Sequence, residues 1–287
     1  MAFDPSRLPD KLVEAYAAKR CAVLVGAGAS IGAGLPDWKG LLEEMIKEGD
    51  RHNVVPPAKA AEYAKLIDTP SKFLMVAAGL QEDLGSYFEP FITRVFVDSK
   101  PKPTSLHSTL AQMDRLQFMV TTNYDTLLEK CYRREVDDDV TVPTFNEAGE
   151  VQSRLSRREY FILKAHGDAQ RASSGIVLTD LDYRRILYRQ RAYQSVLASI
   201  FTMFTMVFVG TSMTDPEVNL LLHYIADAFT PGSGPIHYAL MAEEDTTSVE
   251  RERWFKDLNV QIVPVSKADK YAEVEEALKM LHAAGTA

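Results

Sequence analysis

Residues 22–39 read AVLVGAGASIGAGLPDWK, a glycine-rich turn that opens directly after the apolar run Val23, Leu24 and Val25. Gly26, Gly28, Gly32 and Gly34 permit close backbone approach and positive φ, so successive N–H groups can be aimed at an anion where a helix begins. A phosphate-bearing ligand suits such a loop, and so does a plain strand-to-helix turn. The G-x-G-x-x-G dinucleotide fingerprint starts at Gly26 and Gly28 but meets Ile31 where its third glycine belongs. Residues 28–32 also spell G-x-S-x-G, the elbow that would make Ser30 the nucleophile of an esterase-like enzyme. That elbow would lie on the first strand, with no upstream loop for an oxyanion hole, and Pro36 interrupts the helix it should open.

Three further polar clusters each follow an apolar run: Thr121-Thr122-Asn123-Tyr124-Asp125, His166-Gly167-Asp168 and Gly210-Thr211-Ser212. The elements that must position them alternate in type. Strands are expected at residues 21–25, 118–121, 161–165, 176–178, 206–209, 236–240 and 260–263. Helices are expected at 8–19, from Trp38 through Ile46, around His107, at 124–131, 180–188, 190–202, 216–229 and 249–256, and from Asp269 onward. This rhythm predicts an α/β fold, a Rossmann-like doubly wound parallel sheet. Residues 51–103 read as a helical insertion within one domain spanning 1–287, with helices at 58–67, 73–84 and 87–97. Asp137-Asp138-Asp139 and residues 153–158 read as solvated loops. In such sheets ligands bind beyond the carboxyl ends of the strands, where all four clusters fall.

A net charge of −8 argues against nucleic acid or an anionic membrane as the main partner. Cys21 and Cys131 lie far apart, too few for a disulfide framework or a four-cysteine zinc site, so no metal is expected. The N-terminus shows no signal-peptide pattern, and the longest apolar stretch, residues 196–209, is too short to span a bilayer. A cytoplasmic protein is expected. His107, His223, His237 and the methionines at 203 and 206 read as packing or surface residues, and Ser212 and Asp215 as possible caps of the following helix.

The run GAGASIGAGLPDWKG resembles the cofactor loop of the sirtuin family, G-A-G-x-S, three residues, then G-I-P-D-F-R, with Leu35, Trp38 and Lys39 as departures. The later clusters come in sirtuin order, T-Q-N-I-D, then H-G, then G-T-S, with Thr122 and Tyr124 replacing glutamine and isoleucine. The chain looks like the sirtuin-like NADases of bacterial antiphage defence, where residues 175–179 and Asp182-Tyr183 also have counterparts. That resemblance implies NAD as substrate, with Gly26, Ala27, Gly28 and Ser30 at its phosphates and Asp37 in the segment covering the nicotinamide end. Gly210, Thr211 and Ser212 would approach the pyrophosphate or adenosine ribose. Asp125 would accept from the nicotinamide carboxamide, Asn123 would hold the ribose or the attacking water, and His166 would be the general base. Histidine suits that task because neutral imidazole is abundant near pH 7. Taken singly, Asn123 also fits a helix cap, and His166-Gly167 a plain turn.

Deacylating sirtuins carry a four-cysteine zinc module that this chain cannot build. Water is then the expected nucleophile, giving nicotinamide and ADP-ribose. A zinc-free NAD-dependent protein deacylase, or a non-catalytic sensor of NAD or ADP-ribose, are the alternatives. The resemblance further implies control by a regulatory or sensor subunit, an ATPase, a short Argonaute or a nucleotide-sensing protein, and self-assembly into a homo-oligomer.

Overall fold

The computed structural model describes residues 3–136, 138–213, 216–228 and 234–286. Six strands, β1 (Cys21–Val25), β2 (Leu116–Thr121), β3 (Ile162–Lys164), β4 (Thr205–Val209), β5 (His237–Ala242) and β6 (Val260–Val265), form one sheet in the order β3-β2-β1-β4-β5-β6. Every neighbouring pair is parallel. This is the order of dinucleotide-binding sheets, in which the reversal of strand order beside the first strand opens a crevice at the strand ends.

A parallel sheet is covered on both faces, so its strands carry apolar residues without alternation. β1 is buried along its whole length. Ala22 and Leu24 pack with Phe118, Phe161 and Phe208 beneath the helices at Ala148–Arg157, Arg191–Met203 and Pro216–Ala228. Cys21, Val23 and Val25 pack on the opposite face with Leu12, Leu110 and Leu281, from the helices at Asp10–Ala17, Ser105–Gln112 and Ala268–Thr286. The valine, leucine and phenylalanine side chains among these each contribute about 1.5–3 kcal/mol when fully buried. Between β1 and β2 the chain forms helices at Trp38–Arg51, Pro57–Leu66, Phe73–Leu84 and Phe88–Thr93. Their apolar faces make a third cluster, which reaches Tyr124, Leu127 and Leu178 beyond the sheet.

Three local expectations are corrected. Residues 176–178 are extended but join no sheet; Val177 instead bonds the loop after β3. The helix expected from Tyr124 begins at Leu127, because the Asp125 carboxylate accepts the Leu127 N–H at 2.9 Å and holds residues 122–126 as a loop. Residues 153–157, expected in a solvated loop, belong to the helix Ala148–Arg157, whose buried Val151 and half-buried Leu155 are thinly spaced among polar residues. Asp137, Asp215 and Phe229 lie outside the described residues. His107 and His237 are buried and His223 is exposed; Met206 is buried in β4 while Met203 is exposed.

His237 gives the fold a pH dependence. Its Nδ1 accepts the Met206 N–H at 3.1 Å, and burial pushes its pKa down to about 4. An unfolded chain takes up this proton near pH 6.5, so stability from this group is complete above that value and is lost as pH falls toward 4. Between pH 7 and pH 5 the loss is about 2 kcal/mol. Urea unfolding of His237→Gln should show a drop smaller than wild type by that amount.

Candidate active site

The loops after β1, β2 and β3 and the helical segment that follows β1 line a pocket, open to solvent, with about 530 Å³ of empty space. Of the residues singled out above, Ala27, Ser30, Asp37, Asn123, Asp125 and His166 line it, although Ser30 and Asp125 are 95 positions apart. Leu35, Trp38, Leu41 and Phe96 supply apolar wall. Trp38 stacks on Phe73 at 6.1 Å, and Phe96 meets the Tyr124 ring edge-on at 5.3 Å. Asp37 caps the helix Trp38–Arg51, accepting the Gly40 N–H at 2.8 Å.

One hydrogen-bonded chain fixes the polar wall. The Asn123 Nδ2 donates to the Gly26 carbonyl at 3.1 Å and to Ser30 Oγ at 3.0 Å. Ser30 Oγ spends its single proton on Asp125 Oδ2 at 2.8 Å, while Asp125 Oδ1 takes the Leu127 N–H. Both amide protons of Asn123 are therefore committed, which fixes the orientation of the side chain. Its Oδ1 is buried and has no hydrogen-bond partner among the described residues. A buried acceptor left this way costs about 1–3 kcal/mol, so it marks a place where a donor is wanted. Ser30 thus orients Asp125 directly, an arrangement unlike a nucleophile elbow, whose serine is activated by a base.

The loop after β3 is tied to the same wall. His166 is buried, with its ring edge-to-face on Tyr183 at 5.3 Å, and its carbonyl accepts the Val177 N–H at 3.0 Å. Tyr124 bridges the two loops: its hydroxyl donates to the Val177 carbonyl at 2.6 Å, and its carbonyl accepts the Ala169 N–H at 3.0 Å.

Gly210, Thr211 and Ser212 do not line this cavity; they follow the neighbouring strand β4, with Gly210 and Thr211 against the glycine loop. Gly26 N–H bonds the Val209 carbonyl at 2.9 Å and Gly28 N–H the Gly210 carbonyl at 2.8 Å. A Cβ on Gly26 would fall 2.6 Å from the Gly210 oxygen, and one on Gly28 would fall 2.8 Å from it. These glycines let the loops of β1 and β4 cross at the strand-order reversal. Gly210 itself has φ +65°.

Sequence reasoning assigns no role to Lys164, yet it is fully buried behind this wall and contacts Glu129 at 2.9 Å and Asp168 at 3.3 Å. A lysine inside the apolar run of residues 161–165 was the available signal. Burial pushes the Cys21 thiol up to about 12 and raises that of Cys131, so both are ordinary buried thiols. Among the described residues no group of three or more His, Cys, Asp or Glu side chains is arranged to hold a metal.

The model of the SIR2-like domain matches residues 117–263, from β2 through β6 and across the Asn123, His166 and Gly210 segments. This chain belongs to the SIR2-like family. Among its relatives, the NAD(+) hydrolase ThsA of Bacillus cereus (strain MSX-D12) is 25% identical over 244 residues, covering 83% of this chain and 46% of that protein. ThsA of Cytobacillus dafuensis is 23% identical over 301 residues, covering 98% and 56%. Defense-associated sirtuin 2 of Bacillus subtilis is 26% identical over 206 residues, covering 70% and 19%. The SIR2-like chain spans about half the length of the ThsA relatives it matches. Among the described residues, no helix is long and apolar enough to cross a membrane.

Proposed function

We propose that this SIR2-like chain is an NAD glycohydrolase that cleaves NAD to nicotinamide and ADP-ribose, with Asn123 and His166 as its catalytic residues. The observation that carries the reading is the buried, unpartnered Asn123 Oδ1 on the same cavity wall as His166 and the fixed carboxylate of Asp125. The cavity suits the nicotinamide riboside half of NAD, offering an apolar wall for a ring and three polar groups for a carboxamide, a ribose and a water. Relatives named NAD(+) hydrolase support the same reading.

Bound NAD supplies a glycosidic bond whose nitrogen departs as neutral nicotinamide. Asp125, oriented by Ser30 and the Leu127 N–H, accepts from the carboxamide and fixes the ring. Asn123 Oδ1 accepts a hydrogen bond from a ribose hydroxyl or from the attacking water, and His166 takes that water's proton as its oxygen bonds the anomeric carbon. Orientation of this kind accounts for a large share of such rate enhancements. Gly26, Ala27 and Gly28 turn their loop toward the phosphates, Asp37 borders the nicotinamide end, and Gly210, Thr211 and Ser212 serve the more distant half of the ligand.

We further propose that this activity makes the chain the effector of a cytoplasmic antiphage system, held in check by a partner subunit or by self-assembly. Residues 51–103 would form a helical insertion within one domain, contributing Phe96 to the wall of the site. Reaction in H₂¹⁸O with an acetyl-lysine peptide present tests the nucleophile. The expected product is ADP-ribose carrying one ¹⁸O, with the peptide unchanged; consumption of the acetyl group would instead identify a deacylase.

A further inference from the structure

A lysine is almost never fully buried unless its charge is paired. Lys164, the last residue of β3, is buried completely, and its Nζ reaches four groups. Glu129 Oε1 lies at 2.9 Å and Asp168 Oδ1 at 3.3 Å; the carbonyls of Tyr124, at 3.4 Å, and Asp125 also accept from it. Burial works against the ammonium, but Glu129, Asp168 and Asp125 outweigh it and raise its pKa, so the group stays charged.

These partners sit on the two segments that carry the proposed chemistry. The carbonyls belong to the residues immediately after Asn123, and Asp168 follows His166 by two positions. Asp168 also caps the turn that starts at Ala169, accepting the Gln170 N–H at 2.9 Å, and is touched from outside by Arg171 at 3.4 Å. Glu129 anchors the ammonium to the helix Leu127–Val136, which begins at the Asp125 cap. Neutral packing residues would fill this volume more cheaply than an ion cluster. What the cluster adds is direction: one charge pulls both loops toward the same point.

We propose that Lys164 is a positioning residue of the reaction, a buried clamp that sets Asn123 and His166 in register across the cavity. The inference rests on the glycohydrolase reading for its catalytic consequence and on the contacts alone for its structural one. Misplacement of reacting groups by about 1 Å costs on the order of 10²-fold in rate. Lys164→Met keeps the length and removes the charge.

The test measures nicotinamide release, NAD binding by calorimetry and amide hydrogen exchange on Lys164→Met and Glu129→Gln. For Lys164→Met the clamp predicts a fall in kcat of about 10²-fold with Kd within about threefold, since the fault lies in orientation. It also predicts faster exchange at Leu127 and Ala169 together, with β1 and β4 unchanged. Glu129→Gln, which keeps an acceptor beside the ammonium, should move the same quantities less and in the same direction. A folded Lys164→Met with wild-type kcat and exchange overturns the proposal, as does parallel loss of kcat and binding. Should Lys164→Met fail to fold, Glu129→Gln decides by the same criteria. If wild type releases no nicotinamide while Lys164→Met still loosens Leu127 and Ala169 together, the glycohydrolase reading fails and the clamp stands.

Discussion

His166→Ala should lower the turnover of NAD by roughly 10²–10⁴-fold, the usual range for loss of a general acid–base group, while NAD still binds with near wild-type affinity. The imidazole is buried at the cavity wall against Tyr183, and the backbone of its loop is held by the bond from the Val177 N–H to the His166 carbonyl. Removing the ring takes away the base while that backbone bond remains available. Single-turnover rates and calorimetric binding on the same preparation check this. Equal losses in binding and turnover would assign His166 to ligand affinity and not to proton transfer.

Gly210→Val should have the largest effect on the fold itself. Its φ of +65° lies where β-branched residues are rarely found, and the new Cβ would collide with the Ala29 backbone nitrogen and crowd the Gly28 carbonyl carbon at 3.0 Å. Backbone atoms cannot rotate away, so the crossing of the β1 and β4 loops must open. A loss of about 3 kcal/mol or more in urea unfolding is expected, together with loss of NAD binding. Gly149→Ala is the control. That glycine lies in a helix with nothing within 4 Å of its added Cβ, so the change should be neutral or stabilise by up to about 1 kcal/mol.

The same glycines show what the sequence could and could not tell. Four glycines after an apolar strand announce a close backbone approach, and the sequence reading assigns that approach to phosphate. In the structure Gly26 and Gly28 approach Gly210, a residue some 180 positions away, and no local pattern names such a partner. The parallel sheet was legible because strands buried on both faces read as continuous apolar runs. Residues 176–178 imitate one, since an extended segment under a core is equally apolar. The helix around Val151 was hidden by the opposite cause, with too few apolar residues to outline a face. Asn123, Asp125 and His166 stood out by their positions at strand ends. That Ser30 joins two of them into one proton-donating chain required the fold, and Lys164 was hidden because Tyr124, Asp125 and Glu129, which meet its ammonium, lie far upstream in the sequence.

Nicotinamide release from NAD by wild type and by Asn123→Ala, read on the same samples as NAD binding, bears most directly on the assignment of this cavity as a glycohydrolase site. Wild type should yield one nicotinamide and one ADP-ribose for each NAD consumed, and Asn123→Ala should bind NAD and release nicotinamide at least about 10²-fold more slowly. Release by Asn123→Ala at the wild-type rate, or NAD bound by wild type and recovered intact, would contradict it.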